Sequence, residues 1–405
     1  MLSLVVSLPK QDSVPLAVVT RALPHDHAPE QLLNLLPTQN PLAFVRGGSG
    51  IIGYGETLRL TATGEDRMHD LARQWRDLVA VASVQNPLSW HGTGLVAFGS
   101  IAFADSSTAV STLIVPKMIL GCHDGQIWLT EIKITDAPAE HPAASENALQ
   151  SATDWTDAFA NATFSSTSSE TDFHAGEVSP EKFAANVETA LHELATTELQ
   201  KVVLARDVVA KLPSDFDVRK VLRNLGAGYP TCWIYSVDGT IGASPELLVR
   251  VSHGQVSARV LAGTAGRGTD PGIDRAIATA LAGSAKNLAE HEYAVASLVD
   301  ALQPFCSQVD ADEAPFSLAL PNVWHLASDV HGVLKTGASS LDLAAAHADD
   351  RKLDDLGVAR REASRLDVEH GPRKIEPASE VIDHQRPTVP RRPIRKPSSH
   401  TSHVS

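Results

Sequence analysis

Four short segments in the second half of the chain carry residues able to do acid–base, carboxylate-binding or metal chemistry. In Lys201-Val202-Val203-Leu204-Ala205-Arg206 a lysine opens an otherwise apolar strand. Such a lysine is either a surface residue with its stem on apolar neighbours, or a desolvated amine whose lowered pKa lets it act as a base near neutral pH. In Ser244-Pro245-Glu246-Leu247-Leu248-Val249-Arg250 a carboxylate follows Ser-Pro. It either starts a helical turn or, in a closed pocket that raises its pKa, donates a proton as a general acid. Leu261-Ala262-Gly263-Thr264 ends a predicted strand. Its backbone amides, bare beside small residues, suit either a carboxylate ligand or an ordinary glycine turn. The fourth segment, Lys286-Asn287-Leu288-Ala289-Glu290-His291-Glu292, falls mid-helix, with Leu288, Val295, Leu298 and Leu302 as its core stripe. Glu290, Ala294, Ser297 and Ala301 form another face, whose small side chains would let a ligand approach Glu290. That face is either simply solvated or offers one carboxylate to a hard cation such as Mg²⁺, which takes one or two carboxylates and keeps waters.

Other motifs fail on context. Gly48-Ser49-Gly50-Ile51-Ile52-Gly53 fits the dinucleotide fingerprint, but the residues after it read as a strand and not as the helix whose N-terminus must hold the pyrophosphate. Gly263 to Gly268 is glycine-rich without the Lys-Ser/Thr of a phosphate loop, and His291-Glu292 begins a zinc-protease pattern that Val295 ends.

The elements that must position these segments come in blocks. The first part, residues 1–135, is strand-rich, with VPLAVVTRAL, PLAFVRG, GIIGYGETLRLTA, GLVAFGSIAFA, TLIVPKMILG and GQIWLTEIKI as strand runs and one helix predicted over 66–84. Residues 136–175 read as a Ser/Thr/Ala-rich linker or loop, with ten Ser or Thr between 151 and 172. In residues 176–345 Ser179-Pro180 starts a helix predicted to bury Phe183, Val187, Leu191 and Leu194, and KVVLARDVVAKL is predicted as a strand. A helix over DFDVRKVLRNLGAG, hairpins turning at Asp238-Gly239 and His253-Gly254, and a long helical region from about 272 to 302 follow. Strands and helices in blocks predict an α+β fold.

Composition narrows the function classes. A net charge of −14 argues against a nucleic-acid partner. No apolar run reaches the roughly 18 residues of a membrane span, and the N-terminus lacks the basic start of a signal peptide. Three cysteines with no CxxC pair fit a reducing cytoplasm and not a disulfide scaffold. The end differs sharply: residues 351–405 hold twelve Lys+Arg against eight Asp+Glu, and the last aromatic residue is Trp324. Residues 346–405 are therefore expected to form a divergent, disordered tail.

Taken in order, KVVLAR, SPELLVR, LAGT, KNLAEHE and Val323-Trp324-His325-Leu326-Ala327-Ser328 resemble the chorismate-utilising enzymes, and within them the isochorismate synthases of the siderophore type. The resemblance covers residues 176–345 by motif and the first half more loosely. It implies an aminodeoxychorismate synthase-like fold of α/β/β/α layers, with two packed sheets and the active site between them. It further implies that Lys201 activates water for attack on C2 of chorismate and that Glu246 protonates the leaving C4 hydroxyl. Glu290 would hold Mg²⁺, while Ala262, Gly263, Thr264 and His325 would line the substrate pocket near the ring carboxylate. A lysine at 201 points to the water-adding branch, feeding siderophore, salicylate or menaquinone synthesis, since the aminating members characteristically lack it. Salicylate synthase and a non-catalytic remnant are the alternatives. The expected partner is the small-molecule substrate alone, bound by a monomeric chain.

Two departures stand out. Asn287 replaces an acidic residue usual three positions before the metal-binding glutamate. After about Leu343 the family's HPT segment, carboxylate-binding arginine, GAG turn and second glutamate pair have no counterpart here. The expectation is a frame change or truncation near 344–350, an incomplete C-terminal part, little or no turnover and poor solubility.

Overall fold

The computed structural model describes residues 15–24, 32–88, 90–103, 105, 107–135, 172–197, 202, 204–213, 216–335 and 337–350. Residues 136–171 of the predicted linker, 351–405 of the predicted tail and Lys201 lie outside them; residues 173–175 of that linker form a strand and 346–350 of that tail are helical, which corrects both bounds.

Two large sheets organise the chain. The first has eight strands in the order β13-β12-β2-β3-β8-β9-β1-β5. It draws β1 (Leu16–Leu23), β2 (Leu42–Arg46), β3 (Ser49–Tyr54), β5 (Ser83–Gln85), β8 (Met118–His123) and β9 (Gln126–Ile134) from one side of the linker. From the other side come β12 (Trp233–Val237) and β13 (Thr240–Ser244), with β12 antiparallel to β2. The linker thus divides the sequence but not this sheet. Alternation along β1 sends Leu16, Val18 and Thr20 inward. Leu16 and Val18 pack with Leu78 of helix α1 (Arg67–Val81), the helix predicted over 66–84. A smaller sheet of β4 (Leu58–Ala62), β7 (Ser111–Val115) and β6 (Phe98–Ser100) adjoins it.

The second large sheet runs β14 (Leu247–Ser252), β15 (Gln255–Gly266), β18 (Val323–Leu334) and β16 (Cys306–Ala311), with β17 (Phe316–Ala319) also paired to β18. Val256, Ala258 and Val260 alternate on one face of β15 and meet Leu298 and Leu302 of the covering helix over Ala285–Leu302. Burying two leucines there contributes roughly 3–6 kcal/mol before entropy is counted. The last described helix, Ser340–Asp350, adds Leu343 to the same core. Its Asp342 accepts from Arg76 of α1 at 2.9 Å, joining the two halves.

Both predicted hairpin turns form, with Asp238-Gly239 and His253-Gly254 at positive φ, as a type I′ turn requires. Gly48 to Gly53 lies in the β2–β3 hairpin, with Gly47, Gly48 and Gly50 at positive φ, so no helix follows to hold a dinucleotide.

Other expectations are corrected. Helix α2 (Pro180–Thr196) begins as predicted, with Ser179 Oγ accepting from Lys182 N at 3.2 Å, but none of its residues is buried and Leu191 is 50% exposed. Among the described residues of KVVLARDVVAKL only β11 (Val208–Ala210) is strand, paired with β10 (Phe173–Ala175). Helix α3 (Val218–Gly228) forms as expected, capped by Asp217. The long helical region breaks into α4 (Pro271–Ala282) and α5 (Ala285–Leu302) at Gly283. Both pieces carry their own caps, Asp270 and Ser284, so two short helices satisfy the amide groups that the break exposes. The Ser340–Asp350 helix is α6. Cys122, Cys232 and Cys306 are unpaired, and no described helix is long and apolar enough to cross a membrane.

Candidate active site

The LAGT segment forms a β-bulge. On β18, Leu326 pairs with Ala262 and the adjacent His325 pairs with Thr264, leaving Gly263 as the extra residue. Gly263 sits at φ +80°, a conformation that glycine alone adopts at little cost. The bulge reverses the alternation of β15. Without it Thr264 would share the face of Val260 and Ala262, under α5. With it, Thr264 joins His325 on the opposite face, and Thr264 Oγ1 lies 2.9 Å from His325 Nδ1. Burial pushes the His325 pKa down, partly offset by a hydrogen bond to the Gly263 backbone. A neutral imidazole beside a hydroxyl and a bulged backbone is a polar surface suited to a carboxylate.

Helix α5 holds this bulge from behind. A Cβ on Gly263 would lie 3.1 Å from Asn287 Cβ. Replacing Gly263 with alanine therefore combines positive-φ strain with crowding, and is expected to lower stability by about 1–3 kcal/mol in a urea melt. One turn on, His291 is 2% exposed. Its Nδ1 lies 3.2 Å from the Ala262 carbonyl and its Nε2 2.9 Å from Ser328 Oγ. A carbonyl only accepts, so Nδ1 carries the proton and Nε2 accepts from Ser328. Burial lowers the His291 pKa, against the Ala262 hydrogen bond.

His291 has no place among the residues expected from sequence, yet the signal was present. It falls on the stripe of Leu288, Val295 and Leu298, where a polar residue must be buried and partnered.

Glu290 is half-buried on α5, three residues beyond Asn287 and so on a neighbouring part of the same face. Among the described residues no group of three or more His, Cys, Asp or Glu side chains gathers as a metal site. Glu246 lies at the β13–β14 corner, where its N–H donates to Ser244 Oγ at 3.2 Å. It is exposed, where the sequence reading expects a closed pocket. Leu247 pairs with Arg259, so Glu246 stands near Val260, roughly 10 Å along the strand from Gly263. Lys201 lies outside the described residues. Beyond the bulge, Arg267 pairs with Asp274 at 2.6 Å and sits 4.7 Å from the Trp324 ring, whose N–H also donates to Asp274. Those contacts, led by the Arg267 hydrogen bond, hold the Asp274 carboxyl well below the usual carboxylate range and lock α4 to the ends of β15 and β18.

The lowered histidines give a pH prediction. His291 and His325 both have folded-state pKa values below the ordinary 6.5, lowered chiefly by burial. Between that value and the lower folded ones the unfolded chain binds more protons, so stability is full above about 6.5 and is lost as pH falls through the folded values. The melting temperature is expected to drop between pH 7 and pH 5, before carboxylates titrate. A flat profile there would show that these imidazoles are not buried.

A family model described as "Chorismate binding enzyme" matches residues 20–347. An isochorismate synthase of Bacillus subtilis is 33% identical over 179 residues, covering 41% of this chain and 45% of the relative. That of Escherichia coli K12 is 32% identical over 155 residues, 37% of this chain and 40% of the relative. A salicylate biosynthesis isochorismate synthase of Pseudomonas aeruginosa is 27% identical over 302 residues, 72% of this chain and 62% of the relative. The chain spans less than half the length of the first two relatives. Among solved structures, the menaquinone-specific isochorismate synthase from Escherichia coli superposes with a TM-score of 0.62 at 20% identity, covering 88% of this chain and 81% of that one. Anthranilate synthase component I from Streptococcus pneumoniae gives 0.53 at 20% identity, over 77% and 78%. At these identities what is shared is the fold, an α+β arrangement of sheets and covering helices.

Proposed function

Because this chain belongs to the chorismate-binding enzymes, we propose that it is an isochorismate synthase, converting chorismate by adding water at C2 and releasing the C4 hydroxyl. The observation that carries the reading is the bulge at Gly263, which turns Thr264 towards His325 and builds a carboxylate-sized polar surface where the sequence resemblance expects the ring carboxylate.

The chemistry follows from charge and geometry. Neutral Lys201 takes a proton from water, whose oxygen forms a bond to C2. The ring double bonds shift, the C4–O bond breaks, and Glu246 supplies the proton that lets the hydroxyl leave as water. One turnover leaves lysine protonated and glutamate ionised, and solvent resets both. Glu246 is exposed in the free chain, so the dry surroundings that an acid needs have to be completed by the bound ring. Gly263, Thr264 and His325 hold the carboxylate, with Ala262 shaping the wall, and fix the ring for attack.

Glu290 would hold Mg²⁺, which supplies positive charge for the ring carboxylate when bound. A single carboxylate fits a weakly held, largely hydrated ion. Turnover by the 405-residue chain is accordingly expected to be slow. The reading carries with it a monomeric cytoplasmic protein serving siderophore, salicylate or menaquinone synthesis. Chromatography of chorismate incubated with the full chain and Mg²⁺ tests it. Isochorismate as product is the expected result; salicylate would move the assignment to salicylate synthase, and unchanged chorismate at stoichiometric protein would leave a binding protein without catalysis.

A further inference from the structure

A cavity of about 160 Å³ opens between strands β2 and β12 of the eight-stranded sheet and the β14–β15–β18 sheet. It is lined among others by Arg46, Trp233, Arg250, Arg259, Asp329 and His331. Three guanidinium groups thus face one carboxylate, in a chain whose net charge is −14. That carboxylate is already engaged. Asp329 accepts two parallel bonds from Arg259, Nε at 2.6 Å and Nη2 at 2.7 Å. Among the described residues neither Arg46 nor Arg250 has an ion-pair partner. Arg46 rests 5.5 Å from the Trp233 ring, which stacks on Phe44 at 4.5 Å. Arg250 has only a 3.3 Å bond to the neutral Ser257 hydroxyl.

Two guanidinium groups without an ion-pair partner call for an acceptor carrying negative charge. Planar guanidinium forks match the paired oxygens of a carboxylate or phosphate. The volume holds roughly five waters, enough for a small dianion. We propose that this cavity is a binding site for a small oxyanion, a phosphate or a short dicarboxylate, held by Arg46 and Arg250. Neither arginine belongs to the acid–base or carboxylate-binding set, although Pro245 and Leu247, which flank Glu246, also line the cavity.

Calorimetric titration of the full chain with inorganic phosphate, and separately with succinate, at constant ionic strength set by chloride, tests it. Saturable binding of at least one is expected, and the tighter of the two identifies the chemistry. Arg46→Gln with Arg250→Gln should weaken binding by tenfold or more, roughly the worth of one charged hydrogen bond, while Arg275→Gln on exposed α4 should leave it unchanged. Should the double variant fail to fold, Arg250→Gln alone, at an exposed position, removes one of the two cations, and a loss of about threefold or more is expected. No saturable uptake of either anion, or equal uptake by wild type and the folded cavity variant, would overturn the proposal.

Discussion

Replacing Glu246 with glutamine should cut isochorismate formation by about 10²–10⁴-fold, the range general acid catalysis contributes, while chorismate affinity stays within a few-fold. The amide keeps the shape of the side chain and removes only the proton to be given. Because slow turnover is expected, the rate is best measured with protein in excess of chorismate, following product by chromatography. The split between rate and affinity decides the matter. The Glu246 backbone N–H donates to Ser244 Oγ in either variant, so a residue that merely shaped the β13–β14 corner would leave rate, binding and stability alike nearly unchanged. Equal rates for wild type and Glu246→Gln would remove Glu246 from the mechanism.

The second large effect is structural. His291→Leu should destabilise the fold by about 2–4 kcal/mol, because it strands the Ala262 carbonyl and the Ser328 hydroxyl in a buried site. Leucine fits the apolar stripe of α5, so packing alone predicts a small change. The bulge would lose its rear support at the same time, and chorismate affinity is expected to fall even at temperatures where the variant remains folded. A urea midpoint shift paired with calorimetry separates the two effects. His291→Leu combined with Ser328→Ala removes one stranded partner and should recover part of the stability. A variant as stable as wild type would mean that the imidazole carries neither bond.

Much of this architecture was legible in the residues. Asp238-Gly239 and His253-Gly254 specify their turns by backbone conformation alone, and the α1 stripe specifies its helix, because those signals are local. The failures are non-local. KVVLARDVVAKL has strand composition throughout, but a strand needs a partner edge, and among its described residues only Val208–Ala210 meets one, in β10. The apolar stripe of α2 promised burial, yet no described element covers Leu191. At the site, Gly263 and Thr264 could be named from their types, whereas the bulge that sends Thr264 to His325 depends on the register with β18. His291 opens a failed zinc-protease pattern, which masks its other character, a polar residue on the core stripe of α5. The exposure of Glu246 could not be read from Ser-Pro-Glu at all, since burial of a corner is decided by what packs over it.

The central claim is that the Gly263 bulge and its neighbours form a chorismate site completed by a metal held through Glu290. Titrating chorismate into the full chain by calorimetry, with and without Mg²⁺, tests it most directly. The account predicts saturable binding that tightens when Mg²⁺ is present and loses that metal dependence in Glu290→Gln. Binding that ignores Mg²⁺, or no binding at all by the folded chain, would contradict it.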